Sequence, residues 1–371
     1  MSILNLVKPE LLNTPNYIPG GDEAKYRLHA NELPWSQNSN DASTLNFYPS
    51  NQSLANLQEQ LADLYQVKKD ELVITRGSDD GIDLITRLFL NSGKDAIMQF
   101  PPTFPMYAFY ARLQQAELIQ CPLSSESFSL SMDQIKSCWK PNCKIIMFCS
   151  PNNPTGNIID LELIAATCKQ YSKQSMIVVD EAYIEFSLSP SALTLLPKFE
   201  NLIVLRTLSK AYGMAGLRLG SVLSQPHIIE AIHKVIPPYI IATPIIKLAQ
   251  QALNNPDWVS VSVERLTHER DLLINQLKQI PLIETVYPTQ TNFILVKTSQ
   301  AKEITAYLAN NGIAVRDFPA PSPLTNHLRI TVGDEEQNQL LTKHLSTFLA
   351  KQSNLVDKKM SSTNRTLQLH V

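Results

Sequence analysis

Five cysteines in 371 residues (Cys121, Cys138, Cys143, Cys149 and Cys168) form an odd set with no Cys-x-x-Cys spacing. That excludes a disulfide framework and argues against a zinc site. Cys149 ends an apolar run and reads as a small buried thiol. Net charge is also scarce: the formal balance is −2. Without a basic stretch or an N-terminal helix-turn-helix pattern, nucleic acid and anionic membrane drop out as expected partners, and any anion site must be local. No apolar stretch approaches the ~20 residues needed to cross a bilayer. The opening Met1-Ser-Ile-Leu-Asn-Leu-Val-Lys8 is interrupted by Pro9 and Glu10 too soon for a secretory signal. These absences lead to the expectation of a cytosolic location. The chain shows no internal repeat and no low-complexity segment.

What is present suits a well-buried enzyme: 44% apolar and 18% charged residues. The length exceeds one ordinary core, so a large and a smaller domain are expected. We divide the chain into an N-terminal arm over 1–45 and a large domain over 46–255. A small domain over 256–351 and a polar tail over 352–371 follow. Leu54, Leu57, Leu61 and Leu64 fall on one helical face, with Ser53 placed as its cap. Beyond it, apolar runs at 72–75, 96–100, 144–148, 176–179 and 202–205 alternate with helical patterns such as 161–171. That alternation predicts an α/β fold with a mainly parallel sheet covered on both faces. The second part reads as a long helix over 258–279, strand-like runs at 291–296, 313–315 and 328–332, and helices near 301–309 and 335–350.

Ligands of parallel sheets bind beyond the carboxyl ends of the strands. Three separated fragments place polar groups there: Ser150-Pro-Asn-Asn-Pro-Thr-Gly156, Val178-Val-Asp-Glu-Ala-Tyr183 and Leu208-Ser-Lys-Ala-Tyr-Gly-Met-Ala-Gly-Leu-Arg218. A lysine amine (Lys210), a strand-end carboxylate (Asp180), a phenol (Tyr183) and an amide (Asn153) are the groups needed to hold pyridoxal 5′-phosphate. The amine forms a Schiff base, the carboxylate keeps the pyridine nitrogen protonated, and the other two bond the ring oxygen. Taken singly, Lys210 could be a surface lysine, Asp180 a helix cap, Tyr183 core and Asn153 a turn residue. Glu181 should point away from Asp180, as neighbours at a strand end do. Gly77, Ser78 and Asp79 open a helix directly after a strand, a ready anion site. Ser209 and Arg218 add a hydroxyl and a forked guanidinium. Asp79 suits a phosphate only through its backbone.

With those residues in view, the chain resembles the fold-type I pyridoxal-phosphate aminotransferases and, within them, the histidinol-phosphate aminotransferases. The resemblance runs from about Leu28 to Ala350. It rests on the fragments above together with Ala30-Asn-Glu32, Tyr48-Pro49, Arg76-Gly-Ser-Asp-Asp-Gly-Ile82, Pro102-Thr-Phe104, Val315-Arg-Asp317 and Leu328-Arg-Ile330. It implies a large domain with a seven-stranded sheet and a smaller C-terminal α/β domain. Lys210, Asp180 and Tyr183 are then the catalytic set, with Lys210 moving the proton at the substrate's α carbon. Its amine, desolvated beside the cofactor, should have a lowered pKa. The implied cofactor contacts are Gly77, Ser78, Asp79, Asn153, Ser209 and Arg218, with Phe104 stacked on the ring and Tyr107 as the fallback aromatic. Tyr48 would reach into the neighbouring subunit of a homodimer. Arg329 and Arg316, with Asn31 and Glu32, would bind substrate. The implied substrates are histidinol phosphate, glutamate and 2-oxoglutarate, with no metal. Some residues depart from the family pattern. Leu33-Pro-Trp-Ser36 stands where Asn-Pro and a glycine are common, so Trp35 bears on the substrate mouth; Asp80 replaces a usual Glu, and Pro105 stiffens the loop after Phe104. The cofactor residues alone leave open an aromatic amino-acid aminotransferase or a threonine-phosphate decarboxylase on the same scaffold. A non-enzymatic sensor fused to a DNA-binding module is the remaining alternative; the complete catalytic set and the missing basic stretch count against it.

Overall fold

A computed structural model describes residues 3–12, 14–15, 20, 24, 26–36 and 45–350. The tail and part of the arm therefore lie outside the described residues. The continuous apolar runs become strands β1 (Leu72–Thr75), β2 (Ala96–Gln99), β4 (Cys143–Cys149), β5 (Met176–Asp180) and β6 (Leu202–Thr207). Two further strands, β3 (Glu117–Gln120) and β7 (Gly220–Ser224), complete one seven-stranded sheet in the order β1-β7-β6-β5-β4-β2-β3. Pairing is parallel except at β7, which runs against both β1 and β6. The carboxyl ends of β1, β2, β4, β5 and β6 therefore share one edge.

Helices in chain order are α1 (Pro9–Leu12), α2 (Asn51–Tyr65), α3 (Gly77–Phe89), α4 (Met106–Leu113), α5 (Met132–Cys138) and α6 (Leu161–Gln170). They continue as α7 (Pro226–His233), α8 (Thr243–Leu253), α9 (Pro256–Leu277) and α10 (Ala301–Asn310). A helix over 335–350 closes the described chain. The leucine-striped helix α2 starts earlier than the sequence reading: Ser50, not Ser53, is its cap, and the Ser50 hydroxyl accepts from the Ser53 N–H at 3.1 Å. Ser53 is already in the first turn, whose orphan N–H groups a cap must satisfy.

The chain divides into two units, Met1–Asn153 with Asn157–Val261, and Pro154–Gly156 with Ser262–Val371. In the first, one sheet face is buried under α3, α4 and α7, where Ile82, Ile85, Leu88 and Phe89 of α3 meet Val178, Ile203, Leu205 and Val222. Each such fully buried side chain contributes about 1.5–3 kcal/mol relative to exposure. In the second, β8 (Thr285–Val286), β9 (Phe293–Lys297), β10 (Arg316–Asp317) and β11 (His327–Thr331) form an antiparallel sheet in the order β10-β11-β9-β8. Leu273 and Leu277 of α9, Ile304 and Leu308 of α10, and Leu341 and Leu345 cover it. The strand expected over 313–315 starts three residues later, at Arg316–Asp317.

Candidate active site

Four of the strand ends on the shared carboxyl edge deliver polar groups to one cleft. β1 runs into Gly77 and Ser78, β4 into Asn153, β5 ends on Asp180 and leads to Tyr183, and β6 leads through Thr207 and Ser209 to Lys210. The cleft encloses about 460 Å³, part of it open to solvent, and is lined by Ser78, Asp79, Phe104, Asn153, Asp180 and Lys210 among others. Its walls also include Tyr183, Ser209 and Arg218. Residues 139 positions apart are thereby brought into contact, Asp79 with Arg218.

At the floor, Asp180 is buried and its Oδ2 accepts from the Tyr107 hydroxyl at 2.8 Å, while its Oδ1 accepts from the Ala182 N–H at 3.1 Å. Burial pushes the carboxyl up to about 6, against the opposing pull of those two donors. A cation placed against it would favour the ionised form. Tyr107, the fallback stacking aromatic of the sequence, has another role. It is instead the buried donor to Asp180, and its hydroxyl titrates well above the usual phenol range because of burial and the adjacent carboxylate. Cys149, also in the wall, is raised to about 12, by burial first and Asp180 second, so it remains a thiol. Phe104 meets Tyr107 edge-on, with centroids 5.6 Å apart and planes at 80°. The site also contains Thr207 and Ala182, which carried no sequence signal.

On one wall, the Asn153 amide donates to the Tyr183 hydroxyl at 3.2 Å. Lys210 Nζ lies 5.6 Å from the centroid of the Tyr183 ring. Lys210 itself is exposed. Glu181 faces away from Asp180, as a strand-end neighbour should, and accepts from the Ala192 N–H at 2.6 Å.

The opposite end is the turn at the N-terminus of α3, where the sequence places an anion site. Gly77 has φ +78°, which a glycine adopts without cost. Gly220 of β7 presses on the turn: a Cβ there would lie 2.5 Å from the Gly77 carbonyl carbon and 2.6 Å from the Ser78 nitrogen. Asp80 secures the turn by accepting from the Arg76 N–H at 3.0 Å. The Asp79 carboxylate turns to Arg218 at 3.4 Å. That pair is about half exposed on the arginine side and contributes little to stability. Ser209 Oγ is buried with no hydrogen-bond partner among the described residues.

The donor set fits pyridoxal phosphate. An unpartnered buried hydroxyl beside a helix N-terminus and a guanidinium suits a phosphate, a desolvated carboxylate suits a ring N–H⁺, and an amine stands at the mouth.

Other expected site residues lie elsewhere. Tyr48 is not in the cleft wall; it stacks on Tyr239 with centroids 4.3 Å apart. Asn31 is exposed with φ 55°. Glu32 accepts from Arg27 at 2.6 Å and from the Tyr48 N–H at 2.7 Å, tying down the segment that carries Tyr48. Trp35 is exposed. In the second unit, β10–β11 register sets Arg316 directly opposite Arg329, and Arg329 lies over the Phe293 ring at 5.4 Å.

The sequence pattern of aminotransferase class I and II matches residues 24–345. A histidinol-phosphate aminotransferase 1 of Legionella pneumophila strain Philadelphia 1 is 61% identical over 94% of this chain and 96% of its own length. A histidinol-phosphate aminotransferase of Buchnera aphidicola subsp. Cinara cedri is 40% identical over 89% of this chain and 94% of its own. Among solved structures, histidinol-phosphate aminotransferase from Clostridium acetobutylicum aligns with TM-score 0.74 at 22% identity, covering 82% of this chain and 91% of that one. L-threonine-O-3-phosphate decarboxylase from Porphyromonas gingivalis aligns with TM-score 0.70 at 22% identity over 82% and 91%. The fold alone thus accommodates both a transferase and a lyase, and the sequence relatives decide between them. The chain belongs to the class I and II aminotransferases and, within them, to the histidinol-phosphate aminotransferase family.

Proposed function

We propose that this chain transfers the amino group from glutamate to imidazole-acetol phosphate, with L-histidinol phosphate and 2-oxoglutarate as the paired products, in histidine biosynthesis, a reversible exchange. The observation that carries the reading is the meeting of Lys210, Asp180, Asn153 and Tyr183 in one cleft of a chain 61% identical to a relative of that name. Pyridoxal phosphate, when bound, supplies a conjugated ring that accepts the electron pair left at the substrate's α carbon. The protein's own residues do the rest. Asp180 holds the ring-nitrogen proton, and Asn153 and Tyr183 bond the ring oxygen. Gly77, Ser78, Ser209 and Arg218 anchor the phosphate, with Phe104 against the ring face. Lys210 Nζ carries the proton to and from the α carbon.

Arg316 and Arg329, opposite one another on β10 and β11, are the candidates for substrate anions. Like charges placed across a strand pair repel, and an anion between two forked donors relieves that cost. One pair of guanidiniums can serve a carboxylate and a phosphate in turn, which supports dual use of glutamate and histidinol phosphate. Asn31 and Glu32 remain assigned to the substrate side. For Glu32 the support is indirect, through its hold on the Tyr48 segment.

The reading includes a homodimer in which Tyr48 serves the neighbouring subunit. Its position outside its own chain's cleft wall supports this, as do the exposed apolar side chains of Leu28, Leu33 and Trp35 on the same segment. A cytoplasmic location is supported by five unpaired cysteines. No helix among the described residues is long and apolar enough to cross a membrane.

The test is an absorbance titration of the cofactor-loaded protein with L-histidinol phosphate, L-tyrosine and L-phenylalanine in parallel. Loss of the visible band with histidinol phosphate, restored by 2-oxoglutarate, is the expected result. A response to the aromatic amino acids alone would reassign the substrate, and carbon dioxide release from threonine phosphate would reassign the reaction.

A further inference from the structure

Behind the cleft lies a buried ionic cluster that the reaction does not use directly. Parallel register pairs Asp180 with Leu205, so Glu181 and Arg206, one residue further along, share the opposite face of the sheet. Arg206 reaches two carboxylates, Glu181 at 3.3 Å and Glu185 at 2.7 Å. The three side chains retain 9%, 2% and 12% of their exposure, respectively. The Tyr65 ring lies 4.8 Å beneath the guanidinium, and Tyr212, two residues beyond Lys210, faces the same charges. Burial pulls the Arg206 guanidinium down, but Glu185 and Glu181 outweigh it and leave its pKa raised, so it stays charged. Glu181 is additionally held by Ser191 and the Ala192 N–H.

The two carboxylates flank Tyr183. Glu181 precedes the single turn over Ile184–Phe186 and Glu185 sits inside it. A rigid strand residue that grips both sides of a short turn fixes the side chain between them. The geometry points to Arg206 as a positioning residue: by bridging Glu181 and Glu185 from β6, it holds the Tyr183 hydroxyl at the ring-oxygen end of the cleft, where Asn153 meets it. This inference rests on the functional reading above only for what Tyr183 touches. The clamp itself is a property of the chain. It also gives the cluster a reason to exist, since a buried arginine with two carboxylates is weak evidence for stability alone.

The test follows the pH midpoint of the cofactor's visible band in wild type, Tyr183→Phe, Arg206→Met and the double variant. A phenol donating to the ring oxygen favours its anionic form, so losing the donor raises the midpoint. Arg206→Met is expected to raise it by about 0.5–1 pH unit, part of the effect of one hydrogen bond to a charged group. The double variant should move no further than Tyr183→Phe, because both changes remove the same contact. Glu185→Gln, a gentler change, should shift the midpoint in the same direction by less. Should the wild type show no band, the functional reading falls. Hydrogen exchange in cofactor-free protein then decides the clamp, with the amides of 181–187 expected to exchange about tenfold faster in Glu185→Gln and Arg206→Met than in wild type. An unmoved midpoint in Arg206→Met and Glu185→Gln, a fully additive double variant, or unchanged exchange in that segment would overturn the proposal.

Discussion

Replacing Tyr107 with phenylalanine removes one hydroxyl from the floor of the cleft and leaves the ring's packing intact. That hydroxyl donates to Asp180 Oδ2 at 2.8 Å, in a fully buried place where water cannot substitute for it. A hydrogen bond to a charged group contributes about 1.5–3 kcal/mol, so its loss should raise the Asp180 pKa by roughly 1–2 units. Wild-type Asp180 already titrates near 6 rather than its ordinary 3.8. Well below pH 3.8 the carboxyl is protonated in both the folded and unfolded states and contributes nothing to pH dependence. As pH rises, the unfolded chain ionises it first, so the cofactor-free protein loses stability until the folded carboxyl ionises too. The loss is on the order of 3 kcal/mol by pH 7 in the wild type. In Tyr107→Phe the decline should continue to about pH 8 and cost a further ~1–3 kcal/mol. Urea unfolding of wild type, Tyr107→Phe, Asp180→Asn and the double variant between pH 4 and 8 isolates the term, because Asp180→Asn removes it. Cofactor affinity of Tyr107→Phe should fall most below pH 8, where its Asp180 is protonated. Parallel pH profiles for wild type and Tyr107→Phe, both measured against their Asp180→Asn counterparts, would refute the role given to this bond.

Lys210→Ala should lack the visible cofactor band while keeping a wild-type unfolding curve; a retained band would remove Lys210 from the centre of the reaction. Ser209→Ala should leave the cofactor-free protein as stable as the wild type or slightly more so, because its buried hydroxyl has no partner among the described residues. The same variant should weaken cofactor binding about tenfold, read by equilibrium dialysis. Gly220→Ala forces a methyl onto the Gly77–Ser78 turn and should cost about 1–3 kcal/mol of stability as well as cofactor affinity; an unchanged affinity would detach that turn from the phosphate. Arg329→Ala should raise KM for glutamate and for histidinol phosphate alike, and an unmoved KM for glutamate would exclude a shared anion site.

The parts of this site that were legible in the sequence are those that topology alone positions. Asn153, Asp180 and Lys210 follow apolar runs whose strands are parallel, and parallel strands present their ends on one edge whatever the packing behind them. The strand β7 was not legible, because Gly220-Ser-Val-Leu-Ser224 offers two apolar residues between glycine and serines, below the signal of a buried run. Yet β7 supplies the glycine that presses on the Gly77–Ser78 turn. Tyr107 and Asp180 are 73 positions apart, and nothing local to Tyr107 distinguishes a donor to a carboxylate from a stacking ring. Arg206 is likewise one charged residue in an otherwise apolar strand, where a buried arginine is uncommon unless paired. That rarity was the available signal, and its partners Glu181 and Glu185 lie 25 and 21 positions away in another element. Chain order therefore announces which groups reach the cleft. The protonation state of Asp180 and the aim of Tyr183 depend on contacts that only the folded sheet creates. A sequence bearing the same motifs with Tyr107 or Arg206 replaced would read as the same enzyme, and by this reasoning would hold its cofactor with a different pH dependence.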